Sequence, residues 1–157
     1  MKEKKTCVLI LENIRSVENT ASIFRTADGF GVSKIILVGT TPAPLDRFGR
    51  KRQDFAKVSL GAEESVDWEY KKEILPVIKD LRDQGFQIIA LEQDHRSHRL
   101  RDFKAEDQFA LIVGSEVDGV SRGALDNSDA IVEIPMQGMK ESLNVSVAAG
   151  VALFVLR

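Results

Sequence analysis

The chain has 157 residues, which is room for one domain with a real core and too little for two comfortable ones. Hydrophobic residues make up 43% and charged residues 29%, and a formal net charge of −2 excludes a protein that is basic all over its surface. The lone Cys7 excludes an intrachain disulfide framework and a Cys-rich metal site, and it fits a reducing compartment. Residues 1–5 are charged, but the apolar run over 8–11 is too short for a signal core and meets Glu12 at once. The most apolar stretch, 143–156, is shorter than a membrane span needs. The expectation is a soluble, cytoplasmic chain without a membrane partner.

Short β-rich runs alternate with helical stretches. Residues 6–11 read as a buried strand. A helix follows over 18–31, with Ala21, Phe24 and Ala27 at spacing three and a glycine stop. The next strand is 34–38, and 40–56 reads as a long loop rich in Pro, Gly and Arg. A weaker strand at 65–70 leads into an amphipathic helix over 71–84 carrying Ile74, Leu75, Ile78 and Leu81, closed by Gly85. Strands are expected at 86–91, 109–113 and 130–134. Ser121 should cap a short helix to Asn127, and the last helix covers 144–157. This alternation predicts an α/β fold, a mostly parallel sheet with helices on both faces, as one domain over 1–157. In such sheets ligands bind outside the carboxyl ends of the strands.

Three polar segments each follow an apolar strand. The first, residues 13–25, places Asn19 near a helix start, where free N–H groups favour an anion, with Arg25 less than two turns on and Arg15 in the preceding loop. The second, 113–119, closes a strand with Gly114 and Gly119 around Glu116, which permits tight turning and close approach of backbone to a ligand. It is neither a P-loop nor a full dinucleotide fingerprint. The third, 134–148, runs from Ile134-Pro135-Met136-x-Gly138 through Ser142-Leu143-Asn144 into a helix with Val145, Val147, Ala148, Val151, Ala152, Phe154 and Val155 spread around its circumference. Such a helix has to be buried in the fold or against another chain.

In order, spacing and position after strands, these segments resemble the three motifs of the SpoU (TrmH-like) branch of the SPOUT RNA methyltransferases, over essentially the whole chain. The resemblance implies a parallel α/β sheet with a C-terminal trefoil knot, S-adenosyl-L-methionine bound bent between the knot loops, no metal, and a homodimer. It implies transfer of a methyl group to an RNA ribose 2′-hydroxyl. Residue by residue, Arg25 matches the family's catalytic arginine and Asn19 the asparagine opening the first motif. Glu116 matches the second-motif glutamate, and Ser142 and Asn144 match the polar pair of the third. Leu91, Gly114, Gly119, Ile134, Met136, Ser142 and Leu143 fall on the cofactor side. One departure is Ala21, where the family usually has Gly.

The family's usual proposal makes the arginine a proton acceptor. A guanidinium, with a pKa above about 12, is better suited to gripping the neighbouring phosphate and stabilising the developing alkoxide. Glu116 would then orient Asn19 and Arg25. RNA contact is expected on Arg15 and on the basic loop with Arg47, Phe48, Arg50, Lys51 and Arg52, which joins cations to a stacking aromatic. The segment 94–101, with His95 and His98, is a second candidate. Chains of this size lack the extra RNA-binding domain of many ribosomal RNA members, which favours tRNA. Two rivals remain: an inactive RNA-binding protein of the same fold, and an NAD enzyme. Against the second, the turn after the first strand, Glu12-Asn13-Ile14-Arg15, has no glycine.

Overall fold

The computed structural model describes residues 4–157, so Met1, Lys2 and Glu3 of the charged start lie outside the described residues. In chain order the elements are β1 (Thr6–Glu12), α1 (Val17–Gly29), β2 (Lys34–Val38), α2 (Gln53–Ser59), α3 (Ala62–Ser65), β3 (Asp67–Lys71), α4 (Ile74–Asp83), β4 (Gln87–Leu91), β5 (His98–Arg99), β6 (Gln108–Gly114), α5 (Arg122–Asp126), β7 (Ala130–Glu133) and α6 (Val145–Leu156).

The strands form a 7-stranded sheet in the order β3-β2-β1-β6-β4-β7-β5. Every pairing is parallel. Alternation along β1 divides the core: Cys7, Leu9 and Leu11 pack with α1, α2 and α6 on one face, while Val8 and Ile10 pack with α4 and α5 on the other. Helices thus cover both faces, which is what near-continuous apolar strands require. The chain runs outward from β1 through β2 to β3. It then crosses to β4, and β6 returns to fill the place between β1 and β4. The carboxyl end of β6 therefore lies where strand order reverses, the usual position of a ligand crevice.

Three departures from the sequence expectations have local causes. The loop expected to run to residue 56 ends at Arg52, because Phe55 is buried edge-to-face against Phe24, ring centroids 5.1 Å apart, and that packing holds α2. Helix α4 starts at Ile74 rather than 71, since Lys71 still pairs with Val38 in the sheet. Its Pro76 sits in the first turn, where the missing N–H costs no intrahelical bond. The two-residue β5, paired with Val132 and Glu133, is charged and exposed, so no apolar alternation announces it. Among the described residues no helix is long and apolar enough to cross a membrane.

Burial pushes the Cys7 thiol up to about 12. With its residue fully enclosed, a thiol reagent such as dithiobisnitrobenzoate should react with native protein only as fast as the sheet opens globally. Stopped-flow absorbance with and without denaturant checks this; fast labelling of the native state would contradict the packing described.

Candidate functional site

A cleft of about 390 Å³ opens at the carboxyl ends of β4, β6 and β7. Its first wall is the segment after β6. Gly114 ends the strand, Ser115 and Gly119 form an antiparallel bridge, and the Gly119 N–H donates to the Ser115 carbonyl at 2.8 Å. The turn is tight enough that a Cβ on Gly114 would collide with the Gly119 backbone and the Val120 nitrogen. Gly119 itself has φ +67°, in the left-handed region that favours glycine. The opposite wall is the loop between β7 and α6, through Ile134, Met136, Ser142 and Leu143.

Helix α6 is anchored at this mouth. Asn144 caps it, its Oδ1 accepting from the N–H groups of Ser146 and Val147 at 2.9 and 3.4 Å. The Asn144 Nδ2 donates to Asn19 Oδ1 at 3.2 Å, joining the first and third motif segments. Glu116 Oε1 accepts from the Val145 N–H at 3.0 Å, joining the second to the third. Both contacts lie at the N-terminus of α6, where unpaired N–H groups favour negative charge.

Leu91, Gly114, Gly119, Ile134, Met136, Ser142 and Leu143 all line this one cleft, and Glu116 joins them. Asn19 and Asn144 meet at its edge through their hydrogen bond. Arg25 does not join the set: it is exposed on α1, outside the lining. One detail differs from expectation: Glu116 holds the start of α6 rather than Asn19 or Arg25. Asn19 lies in the first turn of α1, as expected, and Ser16 caps that helix, accepting from the Asn19 N–H at 3.1 Å. Ala21 is fully buried in the core, so the departure from the usual Gly is absorbed by packing.

The cations expected to meet RNA are partly engaged. Arg15 pairs with Asp118 at 2.8 Å, Arg50 with Asp46 at 3.2 Å, and Arg52 with Asp54 at 2.9 Å. Lys51 pairs with Glu64. Such exposed pairs are worth little and are easily exchanged for phosphate. Phe48, 66% exposed, carries Arg47 and Arg50 over its ring at 4.8 and 5.0 Å. In the second basic segment Arg96 bridges Asp94 and Asp126, and its hydrogen bond pulls the Asp94 carboxyl down to about 2. Sequence reasoning missed Glu12 and Glu92. Glu12 is buried, and Glu92 lines the cleft.

A parallel α/β sheet with a glycine-walled cleft at its strand-order reversal is the arrangement in which open α/β sheets bind ligands. Residues 6–154 match the SpoU rRNA Methylase family, and the chain belongs to that family. A Staphylococcus aureus protein described as a TrmH family tRNA/rRNA methyltransferase is 35% identical over 153 residues, 98% of this chain. The chain spans 59% of that relative's length. Among solved structures, the AdoMet-bound rRNA methyltransferase of Sinorhizobium meliloti superposes with a TM-score of 0.86 at 26% identity, covering 97% of this chain and 56% of that one. The A. aeolicus TrmH/SpoU tRNA modifying enzyme gives 0.83 at 27%, covering 98% and 74%.

Gly114→Ala should close the cleft, since the atom it must avoid is backbone and cannot rotate away. Overpacking of this kind typically costs about 1–3 kcal/mol. Calorimetric melting should fall accordingly and binding of S-adenosylhomocysteine should be lost; a variant that binds as the parent does would show the turn to be looser than described.

Proposed function

We propose that residues 1–157 form one methyltransferase domain that uses S-adenosyl-L-methionine to methylate a ribose 2′-hydroxyl of RNA, with tRNA favoured over rRNA. The observation that carries this reading is one cleft at the reversal of strand order, lined by the second and third motif segments, with the first bonded to its edge through Asn19 and Asn144. The cleft's volume falls within the roughly 300–1,000 Å³ of small-molecule sites. Its lining includes Glu92, Glu116, Asp118, Glu133 and Glu141 and no Lys, Arg or His, which suits a positively charged ligand. S-adenosyl-L-methionine, when bound, supplies a methyl group on a sulfonium already activated for displacement. The glycine wall and the Ile134–Leu143 loop would hold it largely through backbone groups, bent within the knotted segment that the family implies. The S. meliloti relative is AdoMet-bound, and the A. aeolicus relative, of which this chain spans the larger share, modifies tRNA.

The chain's own part in the chemistry is alignment and charge. Asn19 and Asn144 would fix the ribose at the mouth of the cleft, with Ser142 beside them. Arg25 would grip the adjoining phosphate and stabilise the developing alkoxide. Arg15 and the loop of Arg47, Arg50, Lys51 and Arg52 would hold the RNA backbone, with Phe48 free to stack a base.

Arg25 stands apart from the cleft of its own chain, and the apolar surface on the same helix supports a shared site. Between α1 and α6 runs an open groove lined by Ser22, Thr26, Phe30, Val147, Val151 and Phe154. Phe154 is 75% exposed and Val147 51%. Burying one such side chain is worth about 1.5–3 kcal/mol. A homodimer through this groove would cover the apolar face and carry Arg25, on the same helix as Ser22 and Thr26, towards the partner's cleft.

The deciding experiment incubates the protein and isotope-labelled S-adenosyl-L-methionine with tRNA and with rRNA from a strain lacking its gene, then identifies nucleosides by mass spectrometry. A labelled 2′-O-methyl nucleoside in tRNA is expected. Label on a base, or none, would overturn the reaction, and label confined to rRNA would overturn the substrate. Arg25→Ala should slow transfer by about a hundredfold or more, roughly 2.7 kcal/mol of barrier, with cofactor affinity unchanged by calorimetry. Phe154→Glu should turn a dimer into a monomer in sedimentation equilibrium and lose activity with it; a parent that stays monomeric at high concentration would remove the shared site.

A further inference from the structure

Glu12 is the one carboxylate among the buried polar residues described, with 3% of its surface exposed. Desolvating a carboxylate costs several kcal/mol unless strong hydrogen bonds offset it. Its bonds are short and specific: Oε1 accepts from the Ser121 N–H and Oε2 from the Ser121 hydroxyl, each at 2.7 Å. The preceding amide is held from the other side, the Val120 N–H donating to Glu92 Oε2 at 2.8 Å. Glu92 Oε1 also accepts from the Gln93 N–H at 3.0 Å. Glu12 ends β1, and Glu92 follows β4, the strands that flank β6. Two consecutive amides at the far end of the glycine wall are thus pinned by carboxylates from both neighbours of the strand that carries it. Gly119 packs against Glu92 so closely that a Cβ there would collide with the carboxylate.

We propose that Glu12, acting through Ser121 and opposed by Glu92, is a positioning residue for the methyl-donor cleft. It fixes where the Gly119–Ser121 backbone stands against the ligand without touching the ligand itself. The inference rests on reading the cleft as the donor site. Charge-assisted bonds to backbone N–H groups are about twice as strong as neutral ones, which is what a wall held at one position against thermal motion requires. An uncharged loop of the same length would wander, and donor affinity would fall by the fraction of time the wall is out of place.

The test measures S-adenosylhomocysteine binding by titration calorimetry, the KM for S-adenosyl-L-methionine, kcat and the melting temperature. The proteins are the parent, Glu12→Gln, Glu12→Ala and Ser121→Ala. Glu12→Ala should weaken binding by about tenfold and raise KM alike, with kcat within about threefold of the parent. Glu12→Gln keeps an acceptor for the Ser121 N–H and should recover most of that affinity. Ser121→Ala removes the hydroxyl bond to Glu12 together with the α5 cap on the Ala124 N–H, keeps the backbone bond, and should weaken binding by an intermediate factor. It decides the matter by itself if Glu12→Ala does not fold. A variant set that melts lower but binds as the parent does would make Glu12 a structural residue only and overturn the proposal. A parent that fails to bind, or that binds as Gly114→Ala does, would instead overturn the cleft as the donor site, and this inference with it.

Discussion

The cleft of this chain depends on a backbone turn that only glycine permits. Where β6 ends, Gly114 lies against the Gly119 carbonyl group and the Val120 nitrogen, closer than any side chain could tolerate. That contact folds the second motif segment back on itself and leaves open space between it and the loop after β7. It also presents Glu116 to the first N–H of α6. The cleft is therefore not scooped out of the core. It is the gap left when two segments turn away from the ends of β6 and β7, the strands on either side of β4.

The three motif segments are distant in sequence and joined by few bonds: an exposed ion pair between Arg15 and Asp118, and two hydrogen bonds made at the start of α6. Asn144 serves at once as the cap of α6 and as the donor to Asn19, so one side chain sets both a helix boundary and an inter-motif contact. Helix α6 in turn has one face sealed against the sheet, through Ala149, Ala152, Leu153 and Leu156, and another that carries Val147, Val151 and Phe154 to the surface. The same element thus serves the cleft at its start and an apolar groove along its length.

The sheet was readable because β1, β2, β4 and β6 are buried on both faces and appear in sequence as unbroken apolar runs. β5 was not, because a two-residue charged edge strand exists only by pairing with Val132 and Glu133. The lining of the cleft was readable by resemblance rather than by physics, since Leu91, Met136 or Leu143 taken alone look like any core residue. Glu12 and Glu92 were missed for a plain reason: at the end of a strand a glutamate reads as the place where the core stops. What makes Glu12 something else is Ser121, a partner 109 positions away that no local pattern reveals. The pairing of Arg15 with Asp118, 103 positions away, is likewise invisible to local pattern.

The return of β6 to a place between β1 and β4 has a bearing on how the chain acquires its shape. β1 pairs with β2 early in the sequence, but its other edge stays bare until residues from Gln108 onward exist to cover it, as the Thr6–Gln108 register requires. Closing so long a loop costs entropy before any contact repays it, and parallel pairing between remote strands is slow for that reason. A nascent or partly unfolded chain therefore carries an open strand edge flanked by apolar side chains, the kind of edge that recruits other strands. The strand that places the cleft at the centre of the sheet is also the one whose late arrival sets the window in which this protein is exposed to aggregation.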